Sequence, residues 1–282
     1  MKVLGYPVFP SEGTFLAQKC RRLGWELVDI GQMKIGESGW KSLPPVGDVD
    51  ADVIVFRHGS ALKTRDPFIA TLSRTRKIIN YYCMDVQKRN VERVFEMVFG
   101  YPLSVNPYEY SGEMVCKSNG QAAHDGVIVQ GPIKKEVVID NKYTYEKLVN
   151  TVDSKGETSE YRLPYFRGIG FPVMFRAKYP ATGRFSQGRG IKDPKTLRTL
   201  FEPPEFFFSR EEIVKLIKMA GMLNLDYGDL DVLRDNDNGR IYLVDVNDTA
   251  WRRKCVEIEE AWPATLKVFE EFISLNNFAR RK

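Results

Sequence analysis

Histidine and cysteine are scarce in this sequence. Its 282 residues include only two histidines and four cysteines, and no two cysteines form a Cys-x-x-Cys pair. We therefore expect neither a zinc site nor a nucleophilic centre built on a Ser-His or Cys-His pair. Widely spaced cysteines fit a reducing cytosol, where they behave as small buried apolar residues.

Long apolar runs are also missing. No stretch approaches the roughly 20 apolar residues of a membrane span, and the N-terminal "MKVLGYPVFPSEG" breaks at proline and glycine, unlike a signal peptide. With 43% hydrophobic and 28% charged residues, we expect a soluble, cytoplasmic globular protein. The formal net charge of +5 suits an anionic ligand. It is small for a dedicated nucleic-acid binder, so nucleic acid is not an expected partner.

Strands alternate with helices in the N-terminal third of the chain. Apolar runs predict four strands, over residues 1–9, 25–31, 50–60 and 76–83. Helical spacing predicts helices over 13–24 and 65–76, and the polar segment 32–48 is predicted to be a surface loop. This order indicates a parallel sheet, so we expect an α/β fold with a Rossmann-like lobe over residues 1–82.

The rest of the chain carries more antiparallel signals. Helices are predicted over residues 85–99, 144–152, 209–223 and 262–275, and pairs of strands over 112–133 and 161–179. Ser209 is expected to cap its helix together with Glu212 three residues later. The chain is thus predicted to form three lobes, over residues 1–82, 83–152 and 153–282, with an α+β arrangement in the C-terminal part.

The most informative stretch is an acidic hairpin, "LDYGDLDVLRDNDNGRIYLVDVNDTAW". Residues two apart on a strand share a face, so Asp245 and Asn247 point the same way. If this strand pairs with the preceding one across the polar turn 235–239, Asp231 faces Asp245. Mg²⁺ prefers carboxylate and amide oxygens together with phosphate and water, so the hairpin indicates a metal–phosphate site. The alternative is a polar hairpin face in water, which is what we expect for the turn itself.

This hairpin resembles the last catalytic segment of the ATP-grasp superfamily, in which an Asp on one strand precedes Glu-x-Asn on the next. Asp231, Asp245 and Asn247 occupy these positions, with Asp in place of the usual Glu at 245. The resemblance implies that these three residues hold Mg²⁺ or Mn²⁺ together with ATP. It also implies the ATP-grasp arrangement, a Rossmann-like N-terminal lobe followed by two α+β lobes that clasp ATP.

The resemblance further implies two phosphate-binding lysines. Lys88 stands in the first turn of the predicted helix 85–99, which is followed by "GYP", and Lys117 stands on a predicted strand. A loop that carries Gly120 and Gly126 follows this strand. A lysine ammonium is a compact charge for phosphate, and glycines let backbone N–H groups approach phosphate oxygens. For each lysine alone, the alternative is a solvated side chain.

Basic residues in the predicted hairpin 161–179 resemble the central region of the same superfamily. The resemblance implies that Arg162 lies beside the triphosphate and that Arg176 and Lys178 act as catalytic groups at the tetrahedral intermediate. Alternate strand residues share a face, so Arg176 and Lys178 are expected to point together. An exposed basic strand face is the alternative for each of them.

The resemblance implies an ATP-dependent carboxylate–amine ligase. A substrate carboxylate would attack the γ-phosphorus, and an amine would then displace phosphate from the acyl phosphate, so positioning and charge stabilisation carry the rate. The expected partners are a carboxylate and an amine, from a peptide or a small molecule, and the basic residues favour an acidic substrate. Residues 57–60, "RHGS", are a candidate substrate loop.

Two further readings stay open at this point. The same fold could serve a kinase that phosphorylates a small-molecule hydroxyl. A non-catalytic module that binds a nucleotide or nucleic acid is the other alternative, and the Asp at position 245 favours it. The resemblance also allows a homodimer, because many members of the superfamily are dimers.

Overall fold

A computed structural model describes residues 1–10, 14–31, 33–34, 43–120, 125–138, 140–172, 174–180, 198–248 and 262–278. The strands are β1 (Lys2–Phe9), β2 (Glu26–Leu27), β3 (Met33–Lys34), β4 (Val53–Arg57), β5 (Ile78–Ile79), β6 (Gly112–Ser118), β7 (Val127–Gly131), β8 (Tyr143–Lys147), β9 (Glu157–Phe166), β10 (Met174–Pro180), β11 (Arg198–Glu202), β12 (Tyr227–Arg234) and β13 (Ile241–Asn247). The helices are α1 (Phe15–Arg22), α2 (Pro67–Leu72), α3 (Lys88–Phe99), α4 (Arg210–Met222) and α5 (Trp262–Leu275). Within the described ranges, no helix is long and apolar enough to cross a membrane.

The N-terminal sheet is parallel, which confirms the prediction for this part of the chain. Its strands run in the order β2–β1–β4–β5, with every pairing parallel. The segment 32–48 was predicted to be a loop, and this is wrong for β3, which pairs with the end of β1. The reason is that β2 covers only the first residues of β1, so the rest of that edge needs another partner for its backbone groups.

Helix α3 ends, and helix α4 begins, at the residues that the sequence predicts. Gly100 follows α3 in the left-handed conformation, with a φ of 81°. Ser209 and Glu212 form the predicted capping box at the start of α4, since the Ser209 Oγ accepts from the Glu212 N–H and the Ser209 N–H donates to the Glu212 carboxylate. Helix α3 begins at Lys88, three residues later than predicted.

The predicted helix over residues 144–152 is wrong. Residues Tyr143–Lys147 form the strand β8 instead, which pairs with β6 in a small antiparallel sheet of order β7–β6–β8. Thr144 and Glu146 are buried, whereas the neighbouring tyrosines are half-buried. This two-residue alternation and the strand preference of Tyr and Thr outweigh the helix-forming Glu-Lys-Leu at its end.

The C-terminal sheet is antiparallel and has the order β11–β10–β9–β12–β13. The predicted hairpin over 161–179 is present as β9 and β10, and the acidic hairpin is present as β12 and β13. Helices α3 and α4 pack against this sheet around Phe95, Leu216 and Leu230, which are each 0% exposed. A second core joins α1 and α5 to the ends of β9 and β12.

The turn of the acidic hairpin contacts the end of β8 and the segment after it, which corrects the expectation that the turn lies in water. Asp235 is 0% exposed, and its carboxylate lies 2.5 Å from the Nζ of Lys147 at the end of β8. The Asn236 N–H donates to the carbonyl of Asn150 at 2.7 Å. The turn therefore ties the C-terminal sheet to the segment that follows β8, while its remaining residues are exposed.

Asn80 ties the N-terminal sheet to both strands of the acidic hairpin. It follows β5 in the left-handed conformation, with a φ of 60°, and it is 0% exposed. Its amide donates to the carbonyls of Tyr227 and Asp248, and its Oδ1 accepts from the N–H groups of Asp226 and Tyr227, all at 2.7–3.2 Å. One side chain thus fixes where β12 begins and where β13 ends.

We predict that Asn80→Ala lowers the free energy of unfolding by about 2–4 kcal/mol, because it leaves buried backbone groups without partners. Urea denaturation measures the loss. Asn224→Ala is the matched control, since Asn224 has a similar φ of 52° but is exposed. Equal losses in the two variants would show that the left-handed conformation, and not the hydrogen bonds, accounts for the effect.

Candidate active site

The candidate site lies where three antiparallel strands align their polar residues. Asp231 on β12 is opposite Asp245 on β13, as the sequence predicts, and opposite Arg162 on β9 on its other side. Directly opposite residues on neighbouring strands project to the same face. A register shift follows Asp231, so the ladder is interrupted directly beside this row.

Arg162 holds Asp231 with both arms of its guanidinium. The Nε lies 2.5 Å from one carboxylate oxygen and the Nη2 lies 2.7 Å from the other, which is the strong bidentate geometry. Burial by itself would lower the pKa of Arg162, but the carboxylates of Asp231 and Asp229 outweigh it and raise the pKa above its ordinary value. Burial raises the pKa of Asp231 to about 7, although Arg162 opposes the shift.

Asp245 and Asn247 complete the acidic face. The Nδ2 of Asn247 lies 3.3 Å from the Asp231 carboxylate and 3.5 Å from the Asp245 carboxylate. The Oδ1 of Asp245 is buried and has no hydrogen-bond partner among the described residues. A buried acceptor without a partner is costly, so a cation would fit at this oxygen.

The donor set around that oxygen is small. Within the described ranges, no group of three or more His, Cys, Asp or Glu side chains is arranged to hold a metal ion. Asp231 is already engaged by Arg162, which leaves the Asp245 carboxylate and the amide of Asn247. Rotation of that amide by 180° would exchange its nitrogen for its oxygen, the atom that a hard cation needs.

Both predicted phosphate-binding lysines lie beside the acidic face. The Nζ of Lys117 donates to the carbonyl of Val244, one residue before Asp245, at 3.1 Å. The Nζ of Lys88 donates to the carbonyl of Gly120. Burial lowers the pKa of Lys88, and the charge of Asp245 opposes this shift. The structure therefore brings α3, β6 and β13 together at one charged site.

The remaining predicted residues are only partly described. Gly120 follows β6 and has open space where a side chain would start, and Gly126 precedes β7. Residues 121–124 of the loop between them lie outside the described residues. The backbone register pairs Arg176 with Tyr161 and Lys178 with Ser159. Nothing is described of the side chains of Arg176 and Lys178, so their catalytic roles stay predictions.

The candidate substrate loop lies close to the same site. Lys63, five residues after His58, forms a fully buried ion pair with Asp248, the residue after Asn247. Arg57 is buried and donates to the carbonyls of two residues at the end of β1 at 3.4 Å. Burial lowers the pKa of Arg57 to about 10, against the charge of Asp248.

Sequence reasoning missed two buried acids at the site, Glu92 on α3 and Glu146 on β8. The Oε1 of Glu146 lies 2.6 Å from the Nζ of Lys117. Glu146 was missed because its segment was predicted to be helical. The alternation of Tyr143, Thr144, Tyr145 and Glu146 is the signal that could have found it.

No protein-family model matches this chain, and no curated protein matches it. Solved structures do match. The ATP-grasp ligase PsnB, in complex with a minimal precursor, has a TM-score of 0.56 at 13% sequence identity, with 96% of this chain and 98% of that chain covered. D-alanine–D-alanine ligase from Bacillus anthracis has a TM-score of 0.53 at 16% identity, with 97% and 96% covered.

PsnB complexed with a minimal precursor, Mg and ADP gives a TM-score of 0.52 at 9% identity, with 96% of both chains covered. At these identities the likeness concerns the fold. Because nearly the whole length of each chain is covered, it includes the N-terminal parallel sheet as well as the two antiparallel sheets. The predicted fold class is confirmed, and the chain has the ATP-grasp fold.

Proposed function

We propose that this chain is an ATP-dependent ligase that activates a carboxylate as an acyl phosphate and joins it to an amine. The observation that carries the proposal is the convergence at one site of Lys88, Lys117 and the Asp245 oxygen that has no partner among the described residues. Positive groups for phosphates and an oxygen ligand for a cation are what ATP requires of a site. The ATP-grasp fold supports the same assignment.

In this proposal the two lysines hold the phosphate charge. Asp245 and Asn247 would hold the divalent cation. Asp231 would also bind the cation if Arg162 released one of the two Asp231 carboxylate oxygens. When bound, the cation neutralises the β- and γ-phosphates. Gly120 and Gly126 would let the loop between β6 and β7 approach the phosphates. The lobes are proposed over residues 1–82, 83–152 and 153–282, with ATP between the last two.

We further propose that the carboxylate and the amine belong to a peptide. PsnB, which shares the fold, was solved with a precursor bound, and this supports a peptide substrate. The carboxylate oxygen attacks the γ-phosphorus and ADP leaves. The amine then attacks the acyl carbon, phosphate leaves, and the amine loses a proton. Arg176 and Lys178 are proposed to stabilise the oxyanion of the second step.

The first prediction from the proposed function concerns Asp245→Asn. MgATP at about 100 times its Kd should stabilise the wild type by roughly 2.7 kcal/mol, and the variant should lose this shift because it lacks the ligand charge. Without nucleotide, the variant should be as stable as the wild type or up to about 1 kcal/mol more stable, since it removes the charge from a carboxylate whose Oδ1 is buried without a partner among the described residues. Thermal denaturation with and without MgATP measures both effects.

Asp237→Asn is the matched control for that experiment. The substitution removes the charge of Asp237, an exposed residue in the turn of the same hairpin that accepts a hydrogen bond from Asn150. The variant should keep the shift with MgATP. Loss of the shift in both variants would point to a general effect of hairpin charge. A shift that persists in Asp245→Asn would contradict the cation role.

The second prediction concerns Lys117→Met. Hydrogen bonds to charged groups contribute about 1.5–3 kcal/mol, so the Kd for MgADP should rise at least about tenfold. Lys142→Met is the control, because Lys142 lies in the same sheet region but is exposed and paired with Asp140. Titration calorimetry gives the Kd for MgADP of each variant. Equal Kd values for the two variants would contradict a role for Lys117 in nucleotide binding.

The third prediction tests the reaction itself. With acidic peptides whose side-chain carboxylates carry ¹⁸O, an acyl phosphate route transfers one ¹⁸O to the released phosphate. We expect labelled phosphate, and more than one ADP per enzyme molecule, only when a peptide amine is also present, and mass spectrometry detects both products. A phosphorylated peptide without free phosphate would instead indicate a kinase.

A further inference from the structure

Two glutamates that the proposed reaction does not use are buried together. Glu92 on α3 is 4% exposed and Glu146 on β8 is 3% exposed, and the neighbouring Glu146 carboxyl group contributes to a raised pKa of Glu92. The Thr144 hydroxyl donates to Glu92 and lies 3.0 Å from each of its carboxyl oxygens. Two neighbouring buried carboxylates repel each other when both are ionised, which favours a state in which the pair shares one proton.

Glu146 also holds Lys117. Its Oε1 lies 2.6 Å from the Nζ of Lys117, which donates in addition to the carbonyl of Val244 at 3.1 Å. An ammonium has three N–H groups, so one of them remains for a phosphate oxygen. The sheet fixes this arrangement, because Lys117 is paired with Thr144 across strands, and Thr144 and Glu146 share a face.

The ion pair determines which glutamate carries the charge. Glu146, in contact with the ammonium of Lys117, is the ionised member, and Glu92 keeps the proton. Burial, followed by the neighbouring Glu146 carboxyl group, raises the pKa of Glu92 to about 8. While the proton is present, the charges of Glu146 and Lys117 balance. Without it, the buried cluster gains a negative charge that repels a nearby phosphate.

We propose that Glu146 is a positioning residue for Lys117, and that Glu92, by keeping the shared proton, leaves Lys117 able to bind a nucleotide phosphate. This inference rests on the proposed function, because it concerns the same nucleotide site. It requires that nucleotide affinity falls when the pair loses its proton. Neither glutamate is assigned a contact with the nucleotide.

Other ionisable groups surround Glu92. Glu146 faces it from β8 and Lys117 from β6. Glu92 also lines a groove of about 510 Å³. The other ionisable side chains that line this groove are Arg89, Arg93, Glu96, Tyr108, Tyr143 and Tyr145. Lys88 also matters, because burial lowers its pKa, and its loss of charge at high pH would weaken nucleotide binding as well. The test must therefore separate Glu92 from Lys88.

Glu92→Gln separates them. The glutamine keeps the shape and a donor toward Glu146 but cannot ionise, while Lys88 is unchanged. Titration calorimetry with MgADP on the full chain gives Kd at about pH 7 and about pH 9. We expect the ratio of the wild-type Kd to the variant Kd to rise at least about fivefold between these values. Glu146→Gln should bind MgADP about tenfold more weakly at both pH values, because Lys117 loses its charged partner.

A second measurement needs no nucleotide. A raised pKa for Glu92 means that its contribution to stability is full below about pH 4.5 and is lost as the pH rises through about 8. The wild type should therefore become less stable relative to Glu92→Gln across this window in urea denaturation. If the difference in free energy of unfolding between the wild type and Glu92→Gln does not change with pH, the two glutamates do not share a proton.

The outcomes distinguish this inference from the proposed function. If the wild type binds MgADP and the ratio of the two Kd values does not change with pH, the role of Glu92 is overturned while nucleotide binding stands. If the wild type binds no MgADP at either pH, the proposed function fails and the role of the pair at Lys117 fails with it. The urea measurement then still reports whether the two carboxyl groups share a proton.

Discussion

The register of β9, β12 and β13 is the constraint on which the candidate site depends. It sets Arg162, Asp231 and Asp245 side by side on one face. A slip of one residue would turn every one of these side chains to the other face of the sheet. The apolar neighbours resist such a slip, because Leu230 and Val246 are 0% exposed and would have to leave the core for the polar face. Packing of the core thus specifies the geometry of the charges.

The acidic hairpin is anchored at both ends by buried polar contacts. At one end Asn80 and the ion pair of Lys63 with Asp248 join it to the N-terminal sheet. At the other end Asp235 meets Lys147 from β8. Buried polar groups must be paired, so each anchor fixes a distance between two sheets. The position of Lys117 relative to Asp245 follows from these anchors as well as from the carbonyl of Val244.

Local patterns in the sequence predicted the parts of the fold that depend on local chemistry. The pairing of two strands across the turn 235–239 predicted that Asp231 faces Asp245, and the capping residues predicted the start of α4. Long-range partners have no such signal. Nothing near Asn80 in sequence indicates its bonds to residues about 150 positions later. By contrast, β8 was misread because the helix-forming residues at its end were given more weight than the alternation of Tyr143 to Glu146. The same misreading concealed Glu146.

The charge balance of the hairpin bears on how a cation would reach it. Asp231 is neutralised by Arg162, so Asp245 is the carboxylate in this row that has an oxygen without a partner in the part of the chain that the structure describes. One carboxylate and one amide are a weak donor set for free Mg²⁺, which usually keeps several waters and adds phosphate oxygens. The lysines, in turn, favour phosphate. A cation that arrives already bound to nucleotide phosphates satisfies both halves of the site, whereas either component alone satisfies only one of them.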